Sequence, residues 1–169
     1  MNRSFRPLGL FLAAAGTALV FPSGCAAPSA PSSEPLIARF FLEAHPSEAG
    51  RPVTLPESGV TITILPKPVV MEFDLVDADV AEVSLGQCLL FKLTPAAAQD
   101  LYRLTGTSQG RRLVLALNDT VIGARRIDRP FDDGTIATFV EVPDATLPEL
   151  AMRLKATSAD IRRTLSRER

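Results

Sequence analysis

The chain has 169 residues, with 18 Lys and Arg against 19 Asp and Glu and a formal net charge of −1. That balance excludes the basic surface by which a domain attracts nucleic acid, and one histidine with two cysteines matches no zinc-site spacing. An apolar share of 46% is ordinary for a globular domain, so fold and function have to be read from pattern along the chain.

Arg3 and Arg6 make a positive start, and the run from Leu8 to Phe21 is apolar and uncharged. A bilayer span needs roughly 20 apolar residues, so this run reads as the hydrophobic region of a signal peptide. Pro22-Ser23-Gly24-Cys25 follows and resembles a lipobox, in which a peptidase cuts before a cysteine that carries diacylglycerol. Ser23 and Gly24 are small, as that motif requires, whereas Pro22 stands where leucine is usual. The reading is a lipoprotein signal over 1–24, lipidation of Cys25, and an envelope location facing the periplasm or exterior. Plain secretion with cleavage near Ala26 and an uncleaved anchor helix are the alternatives. Ala26 to Pro35 is Ala, Pro and Ser with one Glu, too polar to bury a core, and completes a flexible tether over 25–35.

One folded domain is expected over 36–158, with a C-terminal tail over 159–169 that is frayed and solvated from Arg162 to Arg169. Leu36 to Leu42 reads as a buried strand, and Ser47 to Pro56 as a loop. Gly59 to Leu65 alternates, with Val60, Ile62 and Ile64 on the buried face, and Pro66 and Pro68 are expected to end that strand. Phe73 to Ala81 is acidic and reads as a short helix or turn. Glu82 to Leu85 and Cys88 to Leu93 read as strands around Gly86-Gln87. Thr94-Pro95 is an N-cap followed by proline at the first helical position, and Ala97, Leu101 and Leu104 recur at helical spacing until Gly106. Arg111 to Leu117 and Thr120 to Ile127 form a hairpin around Asn118-Asp119. Thr135 to Glu141 is a further strand. Thr146-Leu147-Pro148-Glu149 has the spacing of a capping box, opening a helix whose apolar face is Leu147, Leu150, Ala151 and Leu154. Hairpins interleaved with helices predict an α+β fold, a mostly antiparallel sheet with two main helices packed on it. The helix after Leu93 allows one local parallel pair with Arg111 to Leu117.

Taken together, FKLTPAAAQDLYRLTGTSQGRRLVLALNDTVIGARRI resembles the head subdomain of the first periplasmic region of SecD. The shared order is a strand, a helix ending near a threonine, a glycine-led strand, a tight turn, and a strand reading Val121-Ile122-Gly123-Ala124. VVMEFDLVDADV resembles that family's opening segment, and Glu149, Ala151 and Leu154 match its last helix. The resemblance covers Leu36 to Ala156. Asn118-Asp119 replaces the family's Asp-Gly turn, and the glycine before the last helix is missing. No membrane-spanning bundle follows, so the resemblance implies a stand-alone head-like module that contacts polypeptide, not a pump.

Chemistry is sparse. His45 stands alone in a loop, with no nucleophile motif near it, and Cys88 sits among Leu89, Leu90 and Phe91 as a small buried hydrophobe would. If Cys25 were not lipidated, a Cys25–Cys88 disulfide would be open to it. Glu72, Asp74, Asp77, Asp79 and Glu82 lack calcium-loop spacing and read as a solvated acidic turn. No metal, cofactor or catalytic set is expected. Counting back from Asn118-Asp119 pairs Arg112 with Arg125 and Arg111 with Arg126, with Arg129 close behind. Those four arginines would form an anion site unless Asp128, Asp132, Asp133 or the acidic segment neutralises them, and the abundance of nearby acids favours neutralisation. The expected function is a membrane-anchored extracytoplasmic module, with exported or unfolded polypeptide or an envelope protein as partner and an exposed sheet edge as the binding mode. The rivals are a small envelope hydrolase using His45 or Cys88, and a purely structural envelope lipoprotein.

Overall fold

The computed structural model describes residues 34–167. Signal, lipidation and most of the tether fall outside that range. Strands β1 (Ala38–Glu43), β2 (Arg51–Thr54), β3 (Thr61–Val70), β4 (Leu75–Val83) and β5 (Gly86–Leu93) precede helix α1 (Pro95–Thr107). Strands β6 (Arg112–Leu117), β7 (Thr120–Arg126) and β8 (Thr135–Thr138) and helix α2 (Leu147–Arg167) complete the order. The strands form a five-stranded sheet, β2-β3-β1-β6-β7, and a three-stranded sheet, β4-β5-β8. Every strand pair is antiparallel, and two helices accompany them, so the fold is α+β as the pattern of hairpins and helices predicts. The parallel pair allowed for by the sequence does not form, because α1 carries the chain from β5 in one sheet to β6 in the other.

β1 and β6 are apolar from Phe40 to Leu42 and from Leu113 to Leu117 because they are interior strands buried there on both faces. Phe40, Leu113 and Leu115 enter the main core, where Phe40 meets Phe91 edge-on at 5.1 Å between ring centroids. Phe41, Val114 and Ala116 join Ile62, Ile64, Leu55 and Val121 in a second apolar cluster. A clasp closes this side of the sheet. Glu57 and Ser58, in the turn after β2, both donate their N–H groups to the Glu141 carboxylate at 2.8 and 2.9 Å. Glu141 lies beside β7, its own N–H donating to Ile122 O, so the clasp ties the two edges of the five-stranded sheet together.

Several boundaries depart from the sequence expectation, each for a visible reason. The expected loop over Ser47 to Pro56 contains β2, whose Pro52 is tolerated because β2 is an edge strand. β3 runs through Pro66 and Pro68 to Val70, since β2 covers only Thr61 to Ile64 and no ladder partner on that side needs the missing N–H groups. Ile62 and Ile64 are buried as their alternation implies, whereas Val60 precedes the strand and is exposed. The acidic segment is a single 3₁₀ turn, Glu72–Asp74, leading into β4, and the β4–β5 turn lies at Ser84-Leu85.

α1 follows its sequence grammar: Thr94 Oγ1 accepts the Ala97 N–H, Pro95 opens the helix, and Ala97, Leu101 and Thr105 face the core. The N-terminus of α2 does not follow its grammar. Thr146 Oγ1 donates to Pro143 O instead of capping the helix. The far end is not frayed from Arg162 onward either. The helix continues to Arg167, and Arg162 donates to Val76 O at 2.9 Å.

Candidate functional site

The Asn118-Asp119 turn forms as expected, with φ of 44° and 68° at its two residues. The expected arginine pairing does not, because an extra residue, Ile122, sits in β7 between Val121 opposite Ala116 and Gly123 opposite Leu115. Arg112 therefore opposes Arg126, and Arg125 opposes Leu113. Arg111 lies just before β6 and turns to the β1 end, donating to Glu43 O at 2.6 Å and to the Glu48 carboxylate at 2.8 Å. The Glu48 carboxyl is held below its usual range by the His45 N–H and by Arg111. Arg112 Nε lies 3.8 Å from the Glu43 carboxylate. Arg125 donates to Ala137 O at 2.8 Å and stacks over Phe131 at 4.6 Å, bracing β7 against the next segment. Arg126 and Arg129 reach Asp128 and Asp132 across exposed surface. Every arginine of the group thus has its own oxygen partner.

Proline placement, which the sequence shows but which reads there only as a strand end, creates a different feature. The outer half of β3 has no sheet partner on its β2 side, and beside it lies α1. Leu65, Pro66, Lys67, Pro68 and Val69 face Asp100, Leu101 and Leu104 across a groove of about 580 Å³. The groove is apolar apart from Lys67 and Asp100. Its two prolines cannot donate to an added strand, so it suits apolar side chains better than ladder pairing.

The edges at β4 and β7 are also occupied. On β4, the outward N–H groups of Ala78 and Val80 are taken by the carboxylates of Asp77 and Asp79 at 2.9 and 2.8 Å. Lys155 pairs with Asp77 at 3.0 Å. Beside β7, Gly123 bridges Val140, and a side chain at Gly123 would collide with Phe139 O. That contact explains the glycine in Val121-Ile122-Gly123-Ala124.

The remaining single residues stay apart. His45 is exposed, its Nδ1 bonded to Ser47 Oγ at 2.8 Å within a turn. Cys88 is 1% exposed in β5, and burial pushes its thiol pKa up, which disfavours the nucleophilic thiolate. Glu72 is bound by both ends of the Arg39 guanidinium, at 2.8 and 3.1 Å, and its pKa is lowered accordingly. No group of three or more His, Cys, Asp or Glu with metal-holding geometry occurs among the described residues. No described helix is long and apolar enough to cross a membrane.

Neither a family model nor a curated protein matches the sequence. Solved structures of SecDF do match in fold. One, SecDF in its super-membrane-facing form, aligns with TM-score 0.58 and 19% identity over 72% of this chain and 19% of that one. Another, of SecDF described as a membrane component that enhances protein export, aligns with TM-score 0.55 and 18% identity over 72% of this chain and 63% of that one. The chain thus spans less than two thirds of either SecDF chain, and what it shares with them is the SecD-like α+β fold.

Proposed function

We propose that the chain is an accessory module of the cell envelope, linked to protein export, held to a membrane by a lipid on Cys25, and in contact with non-native polypeptide. The observation that carries this reading is a fold shared with SecDF, a component that enhances protein export, in a chain that begins with a signal-like sequence. Polypeptide contact is assigned to the groove between β3 and α1, because the prolines of β3 and the aspartates of β4 oppose strand addition at those edges. The hairpin arginines Arg111, Arg112, Arg125 and Arg126 act in this reading as braces, each already engaged by an oxygen of the chain. A photo-crosslinking side chain in place of Lys67 tests it in living cells. Exported chains are expected to cross-link there and not from Leu85, on the β4–β5 turn. Equal capture at both positions, or none at Lys67, overturns the groove assignment.

A further inference from the structure

The charge of the described fold is unevenly placed. α2 carries Arg153, Lys155, Arg162, Arg163 and Arg167 against Glu149 and Asp160, whereas the other described residues hold ten basic and sixteen acidic side chains. The buried face of α2 is Leu147, Ala151, Leu154 and Ser158. On the opposite face Met152 is 64% exposed, and Glu149, Ala156, Asp160, Arg163 and Arg167 are exposed at helical spacing, with Lys155 and Ser166 at its side. Cations outnumber acids on α2, and a helix face of net positive charge is attracted to an anionic bilayer surface. The exposed pairs Lys155–Asp77 and Arg163–Asp160 are of the weakly held kind that yields to a denser anionic surface.

A second observation concerns where the chain enters the fold. The chain enters the fold along α2: Leu36 donates its N–H to Thr157 Oγ1 at 3.1 Å, and Arg153 donates to Glu34 O at 3.4 Å. Eight residues lie between Cys25 and Glu34, a path of nine residue steps. Fully extended they reach at most about 30 Å. A lipid on Cys25 would therefore keep the point of entry, where Glu34 and Leu36 meet Arg153 and Thr157 of α2, within that reach of the headgroups. Tethering also raises the local concentration, so individually weak contacts suffice.

We propose that the outward face of α2 docks on an anionic phospholipid surface and so sets the orientation of the module on its membrane. This rests on the membrane-anchor reading above. The test uses the full chain in vesicles of phosphatidylglycerol mixed with phosphatidylcholine, with a thiol-linked fluorophore at Ser166→Cys and a reference label at Leu85→Cys. Cys88 is 1% exposed and leaves the label a single site once Cys25 is lipidated. Nitroxide headgroup lipid is expected to quench the Ser166 label more than the Leu85 label. That difference should vanish in pure phosphatidylcholine, in raised salt, and with Arg163→Glu plus Arg167→Glu. Equal quenching, or an orientation indifferent to charge, overturns the proposal. So does shielding of the Ser166 label from an aqueous quencher without lipid quenching, which would mean an acidic protein partner covers α2. Vesicle flotation reports the anchor separately. If the chain does not float, adsorption of the Cys25→Ser chain to anionic vesicles decides the matter for α2. It should fall about tenfold or more with the double charge reversal.

Discussion

A single carboxylate closes the second apolar cluster. Glu141 receives two consecutive backbone N–H groups, from Glu57 and Ser58, and hydrogen bonds from Ser58 and then Glu57 hold its carboxyl below the usual range. Because the folded pKa is depressed, the stabilisation is fully present above the unfolded value of about 4.3 and is lost as pH falls through the lower folded value. Glu141→Ala is expected to cost about 1 kcal/mol, a charge-assisted pair discounted for its exposed setting. The loss should appear locally as faster amide exchange at Glu57 and Ser58. In the parent chain the same amides should lose protection only below about pH 4. Unchanged exchange in the variant would show that the turn is held by the apolar cluster beneath it. The side chain of Glu141 could not be singled out from sequence, since its partners lie 84 and 83 positions away.

At the scale of elements, the β6–β7 hairpin shows what local sequence does and does not determine. Asn118 and Asp119 both adopt positive φ, which Asn and Asp tolerate and glycine adopts freely. Asn118 has a second task, since its Oδ1 accepts the Ile37 N–H at 2.8 Å, whereas Asp119 makes only a 3.8 Å exposed contact with Arg39. Asp119→Gly is therefore expected to stabilise by about 0.5–1 kcal/mol, and Asn118→Gly to be neutral or destabilising, as read by thermal unfolding. The turn, both hairpin strands and the capped start of α1 were legible because their signals are local. The register was not, because the extra residue at Ile122 answers to contacts with the segment around Phe139 and Val140, 17 or more positions away. The same holds for β3, where two prolines end a strand by local rules but are harmless on a side without a partner. The β3–α1 groove was missed with it, although a proline pair inside an apolar alternating stretch was the available sign. In α2, the expected capping box failed because Thr146 is recruited into a preceding 3₁₀ turn.

At the scale of the whole molecule, two sheets share one main core, and Cys88 is buried in the middle strand of the three-stranded sheet, next to Leu89 of that core. Burial raises its thiol pKa, so two conditions for reaction, access and ionisation, are withheld together in the folded state. Thiol reagents are expected to reach Cys88 only when the sheet opens. Its labelling should then slow in native buffer by a factor set by the free energy of global unfolding, about 10³ or more for a domain of ordinary stability. The same measurement bears on Cys25. A diacylglycerol thioether leaves Cys25 with no thiol, so the mature chain should show no fast-reacting group in native buffer and one reactive thiol after denaturation. An unmodified Cys25 would add a second thiol to the denatured count. A Cys25–Cys88 disulfide would give none before reduction and two after it, and would require Cys88 to leave a position where it is 1% exposed. Counting thiols in native buffer, in denaturant, and in denaturant with reductant therefore separates all three states. Two thiols in denaturant without reductant would remove the lipid anchor, and with it the tether argument that brings α2 to the membrane.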